Sequence, residues 1–372
     1  MKFIVEIRDT SFNIRHRVEK EATDLMWSYS RIGGCGEFSF TIPRKLFQER
    51  AISGEYNVRI YSREDSADSY SLRYQGLIEN KIPSVRGGSE TVPVSGHGYY
   101  IQLKRVYLNN VTYTGQEVSA IVTDILDNYV VNDTDITYSA SDIENTGVTL
   151  SSIQFNEYAD SALEKLAEIV GNREFGVDKN RAFFFKEKSD TVGFRFPLGY
   201  KVLNYSQNQD FKQIVNRVFI QGAQVGGTYH FFGPYDDMGS QAKYNLRVSV
   251  KQNSSITSSS VASQFATSTL SEFKDASIRA NFDLVDYAIE LESTNPTPLI
   301  NILTKQDKYG QKKFGQGIYC GLIDFSINRI NYYLSNNNTL KVNADIGRPR
   351  PSISESLGQI EYTLEQQRSA SL

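Results

Sequence analysis

The residues of this chain that could do chemistry are few, and they do not converge. There are three histidines. His16 lies between Arg15 and Arg17, whose charge disfavours protonation of the ring, and reads as part of a surface strand. His97, in Ser95-Gly96-His97-Gly98-Tyr99, reads as a turn between strands, and His230 belongs to a glycine- and aromatic-rich loop. Gly33-Gly34-Cys35-Gly36 has the outline of a nucleophile loop, but a thiol attacks only where its pKa is lowered, and a packed cysteine leading a strand is the simpler reading. Asp133/Asp135 and Asp236/Asp237 are carboxylate pairs of the kind a glycosidase uses. Asp133-Thr134-Asp135 lacks the glycine and terminal glutamate of a calcium loop. Lys305, Lys308, Lys312 and Lys313, interleaved with Tyr309 and Phe314, combine charge with stacking surface. That pattern suits a nucleic-acid groove, and equally a solvated hairpin tip. HExxH, GxSxG, the P-loop lysine and GxGxxG are absent. Cys35 and Cys320 form no CxxC or Cys/His cluster, so neither a disulfide framework nor a zinc site of usual spacing is expected. No catalytic residue, metal or cofactor is assigned.

Any elements that position these groups must come from a chain of 372 residues, enough for two to four domains at roughly 100–200 residues each. Apolar residues make up 40% and charged residues 22%, which allows real cores and argues against disorder. The formal charge of -3 excludes a globally basic nucleic-acid binder and an acidic mimic of DNA. Tyrosine (23) and phenylalanine (21) are abundant beside a single tryptophan, a bias toward half-buried sheet. Charge is unevenly placed. Residues 115–170 carry eleven acids and one base, a net of -10, and residues 301–350 carry eight bases and three acids, a net of +5. Solvated faces explain such runs, and so do complementary subunit contacts. Lys2, Glu6, Arg8 and Asp9 interrupt the opening, so no signal peptide is expected there and folding in a reducing cytosol is. No apolar stretch approaches the ~20 residues of a membrane span.

Residues 1–110 read as strands. Glu37 to Pro43 alternates, with Phe38, Phe40 and Ile42 on one face, and Tyr56 to Tyr61 repeats the pattern. Arg86-Gly87-Gly88-Ser89 reads as a hairpin turn. From Val118 the apolar positions 118, 121, 122, 125, 126 and 129 form a helical stripe. A second helix is announced by Ser161-Ala162-Leu163-Glu164, with Asp160 a competing cap. Glu174 to Phe185 reads as a hairpin turning at Lys179-Asn180. Strand returns at Val215 to Gly222, residues 223–242 read as an irregular loop, and Ser254 to Ser271 precedes or forms a poor helix. Asn295-Pro296-Thr297-Pro298 breaks the chain before further strands near 299–303, 317–323 and 339–342.

In order and spacing these segments resemble the hub proteins at the tail tip of tailed bacteriophages and of contractile injection systems. The likeness is carried by Trp27-Ser28-Tyr29-Ser30 followed by Gly34-Cys35-Gly36-Glu37-Phe38, by Tyr74 to Ile78, and by Gly96-His97-Gly98-Tyr99. Tyr158 to Ala167 with Phe175-Gly176-Val177-Asp178, Val215 to Gly222, and Ile346-Gly347 with Pro349 continue it. The resemblance implies a β-rich α+β multidomain chain, two small tube-like β-barrels joined by α+β parts. Its divisions would be 1–110 as first barrel, 111–195 as α+β domain, 196–239 as start of the second barrel, 240–297 as an insert completing the α+β part, 298–350 as the rest of the second barrel, and 351–372 as a C-terminal helix or linker. It implies a non-enzymatic structural hub in the virion, at the tail tip, assembled in the host cytoplasm. Three copies would close the tail tube, match its sixfold symmetry to a threefold tip, and pass double-stranded DNA without reading its sequence. Implied partners are further copies of the chain, a distal tail or tube ring protein, a tape-measure protein, and a spike or fibre. Lys305, Lys308, Lys312 and Lys313 are then expected at a subunit contact, because a lysine-lined bore would hold DNA. A receptor- or carbohydrate-binding tail module and a cell-envelope hydrolase using a carboxylate pair are the alternatives.

Overall fold

A computed structural model describes residues 2–347 except 20, 47–51, 65–68, 87, 198–201, 226–227, 254–255, 286–298, 304–323 and 335–338. The N-terminal third is strand: β1 (Lys2–Arg8), β2 (Ile14–Val18), β3 (Thr23–Ser30), β4 (Gly33–Pro43), β5 (Asn57–Arg63), β6 (Ser71–Lys81), β7 (Ser84–Arg86) and β8 (Ser89–Gly98). Period-two patterning explains them. Phe38, Phe40 and Ile42 of β4 and Val58 and Ile60 of β5 are all buried, as the alternation requires. Strand β7 pairs with β8, Arg86 opposite Ser89, and Gly87 of the expected turn lies outside the described residues. His97 sits within β8, paired with Glu37 and Leu77, and not in a turn.

A 3-10 helix (Tyr99–Arg105) leads into β9 (Tyr107–Glu117), α1 (Val118–Ile125), β10 (Thr149–Tyr158), α2 (Ala159–Val170), β11 (Arg173–Val177) and β12 (Phe183–Glu187). The α1 stripe is as the sequence predicts up to Leu126, but a single π turn, Leu126–Val130, then shifts the phase so that Val130 is buried where Tyr129 was expected. Helix α2 begins at Ala159 after Tyr158 with no side-chain cap. Burial of Ala159, Ala162, Leu163 and Leu166 sets its start, and Asp160 lies in the first turn, where a carboxylate suits the helix N-terminus.

The remainder comprises β13 (Val192–Pro197), β14 (Val202–Asp210), β15 (Arg217–Val225), β16 (Thr228–Asp236), α3 (Met238–Tyr244), β17 (Val248–Gln252), α4 (Ser259–Phe273), β18 (Ser277–Val285), β19 (Leu299–Leu303), β20 (Asp324–Phe325), β21 (Ile327–Leu334) and β22 (Leu340–Gly347). The described part of the stretch read as a loop over 223–242 is therefore largely strand and helix. Its Gly233-Pro234 pair is tolerated because β16 is an edge strand and its ladder with β15 is irregular. The serine-rich stretch does form a helix: Ser258 caps it, and Thr267 and Thr269 return their hydroxyls to the carbonyls of Ser263 and Phe265.

One sheet of fourteen strands dominates, with a main path β14-β18-β22-β21-β3-β4-β8-β6-β5-β1-β2. Nearly all its pairings are antiparallel, so the chain is a β-rich α+β protein. Among the described residues the path is not seen to return on itself. The seam between the N-terminal strands and the C-terminal ones is β3 on β21, where Trp27 faces Tyr332 and the rings stack at 4.9 Å. A single core spans that seam, from Phe3, Trp27 and Phe40 to Phe282, Tyr332 and Ile346. A second core lies between α1, α2, β9 to β12, β15 and α4.

The two cores meet where β11 runs parallel to the start of β4, Gly176 opposite Gly33 and Val177 opposite Gly34. Gly34 has φ +74°, and a Cβ there would overlap the Val177 carbonyl. The Gly33-Gly34-Cys35-Gly36 stretch thus lets two backbones touch. No helix among the described residues is long and apolar enough to cross a membrane.

Candidate interaction surfaces

The carboxylate pairs are occupied by structural work. Asp236 accepts from Arg217 Nε at 2.7 Å, which with Gln241 holds its pKa below the ordinary carboxylate value. Asp237 caps α3 through the Ser240 amide at 2.8 Å and lies 3.6 Å from Lys274. Asp135 accepts from Gln102 Nε2 at 3.1 Å, and its amide donates to Gln102 Oε1 at 3.0 Å. Asp133 and Gln102 line an open cleft of about 240 Å³ together with Arg105, Tyr107 and Tyr129. His16 is buried, not on the surface as its neighbours suggested, because β2 turns it toward the core between Arg15 and Arg17. His97 Nδ1 lies 2.5 Å from Glu79, and its Nε2 lies 3.8 Å from Glu37. His230 is exposed on β16. Lys305, Lys308, Lys312, Lys313, Cys320 and the 351–372 segment lie outside the described residues.

Sequence motifs missed one charged face of the sheet. Alternation turns Phe3, Val5 and Ile7 of β1 and Val58 and Ile60 of β5 into the core, so Lys2, Glu6 and Arg8 share the opposite face with Arg59, Tyr61 and Arg63. Arg17 of β2 joins them opposite Glu6. Glu6 is the carboxylate at the centre, taking Arg8 Nη2 and Arg17 Nε at 2.7 Å each. Burial pushes its pKa up, but the two guanidinium groups outweigh that and hold it below the ordinary value. Arg59 Nε and Arg63 Nε are buried with no hydrogen-bond partner among the described residues. The signal was present as basic residues at intervals of two and four, but it reads as a face only once β1, β2 and β5 are known to be neighbours.

No protein-family model matches the chain, and no curated protein sequence matches it. Solved structures do. The 43 kDa tail protein of prophage MuSo2 from Shewanella oneidensis superposes with a TM-score of 0.63 at 15% identity, over 94% of this chain and 99% of that one. The tail protein from Neisseria meningitidis MC58 gives 0.64 at 12% identity, over 93% and 97%. Prophage tail protein gp18 from Listeria monocytogenes EGD-e gives 0.59 at 11% identity, over 98% and 100%. The chain has the fold of phage tail proteins.

Within this tail-protein fold, two local features carry predictions. Glu117 ends β9 and caps α1, accepting from the Ser119 amide at 2.7 Å, while its other oxygen takes the Thr146 amide at 2.8 Å. Burial pushes this carboxyl up, yet the Ser119 and Thr146 hydrogen bonds outweigh burial and lower its pKa from 4.5. The depressed value makes its contribution complete above about 4.5 and lost as pH falls through the lower folded value. Glu117→Ala is expected to cost about 0.5–2 kcal/mol at pH 7, with the gap to wild type closing in acid. Denaturant melts at falling pH check this, and a gap that stays constant as the pH drops below 4.5 for as long as the fold survives would contradict it.

Cys35 is 3% exposed in β4 and belongs to the first core. Cys35→Ala should lose about 1–3 kcal/mol in a thermal melt and leave oligomeric state unchanged.

Proposed function

We propose that this chain is a structural hub of a phage tail tip. Three copies form a ring that closes the tail tube. In each, the N-terminal strands build one small tube-like barrel and the C-terminal strands a second, so that six barrels meet the sixfold tube while the tip below is threefold. The chain works by assembly and opening, with no bond chemistry, and double-stranded DNA passes through the ring on infection. Its partners are its own copies, a distal tail or tube ring protein, a tape-measure protein and a spike or fibre. Assembly takes place in the host cytoplasm. Lys305, Lys308, Lys312 and Lys313 face a neighbouring subunit or the ring above, not the bore, because lysines along a DNA path would release counterions and hold the duplex.

One observation carries this reading: the match to phage tail proteins runs over almost the whole of both chains. The structural occupation of Asp135, Asp236 and Asp237 supports it. Native mass and negative-stain images of the purified chain test it. A trimer or ring is expected, whereas a monomer that releases sugars from cell-envelope material would replace the hub with a hydrolase.

A further inference from the structure

The small sheet of β16, β15 and β17 has its two sides in different surroundings. Val218 and Ile220 of β15 turn inward and join the second core, which Val261 and Phe265 of α4 also line. The residues between them point the other way. Phe219 stands opposite Val250, Gln221 opposite Phe231, and Arg217 opposite Val248, so the register gathers these side chains on the outward face. Tyr229 follows Phe231 at the strand period and shares that face. Phe231 is 62% exposed, Val248 53% and Tyr229 49%. The water side of a sheet is ordinarily polar, and a contiguous apolar face marks a place where something docks.

Polar groups on the face answer one another. Arg217 Nε donates to Asp236 at 2.7 Å, and Gln252 Nε2 donates to Gln221 at 3.0 Å. What remains is apolar surface, which suits an apolar occupant better than a nucleic acid or a charged peptide.

The chain supplies such an occupant. The described residues end at Gly347, which pairs with Arg279, four positions after Asp275. Tyr244 Oη lies 3.5 Å from Asp275, and Tyr244 precedes Val248 by four residues. The segment from Arg348 onward therefore starts near the end of the sheet that carries Val248. In its sequence, Ser352-Ile353-Ser354-Glu355 has capping-box spacing. Ile353, Leu357, Ile360 and Leu364 recur at intervals of four, three and four, the pattern of one apolar helix side. Such a stripe is about 17 Å long, against about 14 Å from Arg217 to Gln221 along β15. Residues 348–352 supply up to about 17 Å of extended lead. Tethering holds the segment near the face at a roughly millimolar effective concentration, which favours it over a second copy.

We propose that residues 353–364 lie across the outward face of β16, β15 and β17 of their own chain. The contact removes from water an apolar surface and an apolar stripe together. It goes beyond the tail-tip reading and stands without it.

Photo-crosslinking of the full chain tests this, with p-benzoylphenylalanine in place of Phe231 and products mapped by mass spectrometry. The expected product joins position 231 to a peptide within 353–364 and has the mass of a single chain. Leu357→Asp with Ile360→Asp should lower its yield at least about tenfold, because two apolar contacts are lost. The same variant should speed hydrogen exchange in β16 and β17 and leave β5 and β6 unchanged. Phe231 belongs to neither core, and the two tail positions lie outside the described residues, so both described cores are left intact by these changes. A crosslink to residues 304–323, or to any other segment, gives the face a different occupant and overturns the proposal. A product of double mass that grows with concentration makes the face a contact between copies, and overturns it too. So does a wild-type tail that yields no crosslink, or a yield that the tail variant leaves unchanged.

Discussion

Replacing Trp27 with alanine should lower stability by about 3–5 kcal/mol and should do so for the N-terminal and C-terminal strands together. Trp27 is 1% exposed, packs on Phe3, and stacks on Tyr332 with ring planes 8° apart. Its loss opens a cavity where β3 meets β21, inside a core that both regions share. Tyr332→Ala removes the other half of the stack and should resemble it, and because the two residues touch, the double variant should cost less than the sum. Trp27 is the single tryptophan, so its fluorescence reports this seam in wild type, and circular dichroism follows the variant. Hydrogen exchange should show β1, β5, β18 and β22 losing protection in step. Loss confined to strands before residue 100 would mean that the seam is a weak contact between independent units.

Gly34→Ala is the second large effect, about 2–5 kcal/mol. Two terms contribute. A residue other than glycine at φ +74° costs about 1–2 kcal/mol, and overpacking against the Val177 carbonyl costs about 1–3 kcal/mol more. The damage should be local: β11 should part from β4 while the remaining ladder of β4 with β3 and β8 persists. Limited proteolysis should then cut near residues 171–173, and denaturant melts should separate into two transitions. A single transition at the wild-type midpoint would show that the two cores do not depend on this crossing.

How much of this was readable in advance depends on how local the signal is. Phe38, Phe40 and Ile42 announce β4 by alternation alone, and the α1 stripe from Val118 to Leu126 announces its helix. Strand β16 was hidden because Gly226-Gly227 and Gly233-Pro234 read as breakers, while an edge position lets the chain keep its pairing with β15. The start of α2 was misplaced because capping residues are weaker determinants than the buried face. The Trp27–Tyr332 stack left no trace in the sequence, since nothing near either residue names the other. For the surfaces, a run of charge such as Lys305 to Lys313 is legible in the sequence, whereas Arg59 and Arg63 are separated by inward-facing residues and become neighbours only on the strand. Gly33 to Gly36 has the outline of a reactive loop, when Gly34 serves a close passage of two strands.

The β3–β21 seam also sets a timetable for synthesis. Trp27 and Tyr332 are separated by 305 positions, so at roughly 5–20 residues per second the ribosome needs about 15–60 s to deliver the partner of β3. Through that interval the nascent chain presents an unpaired strand edge bearing Trp27 and Tyr29, the kind of edge on which foreign strands add. A pairing this distant also closes late and slowly for entropic reasons. Soluble yield should therefore rise with slower translation, lower temperature or a chaperone that covers strand edges, and chains stalled before Ile327 should aggregate.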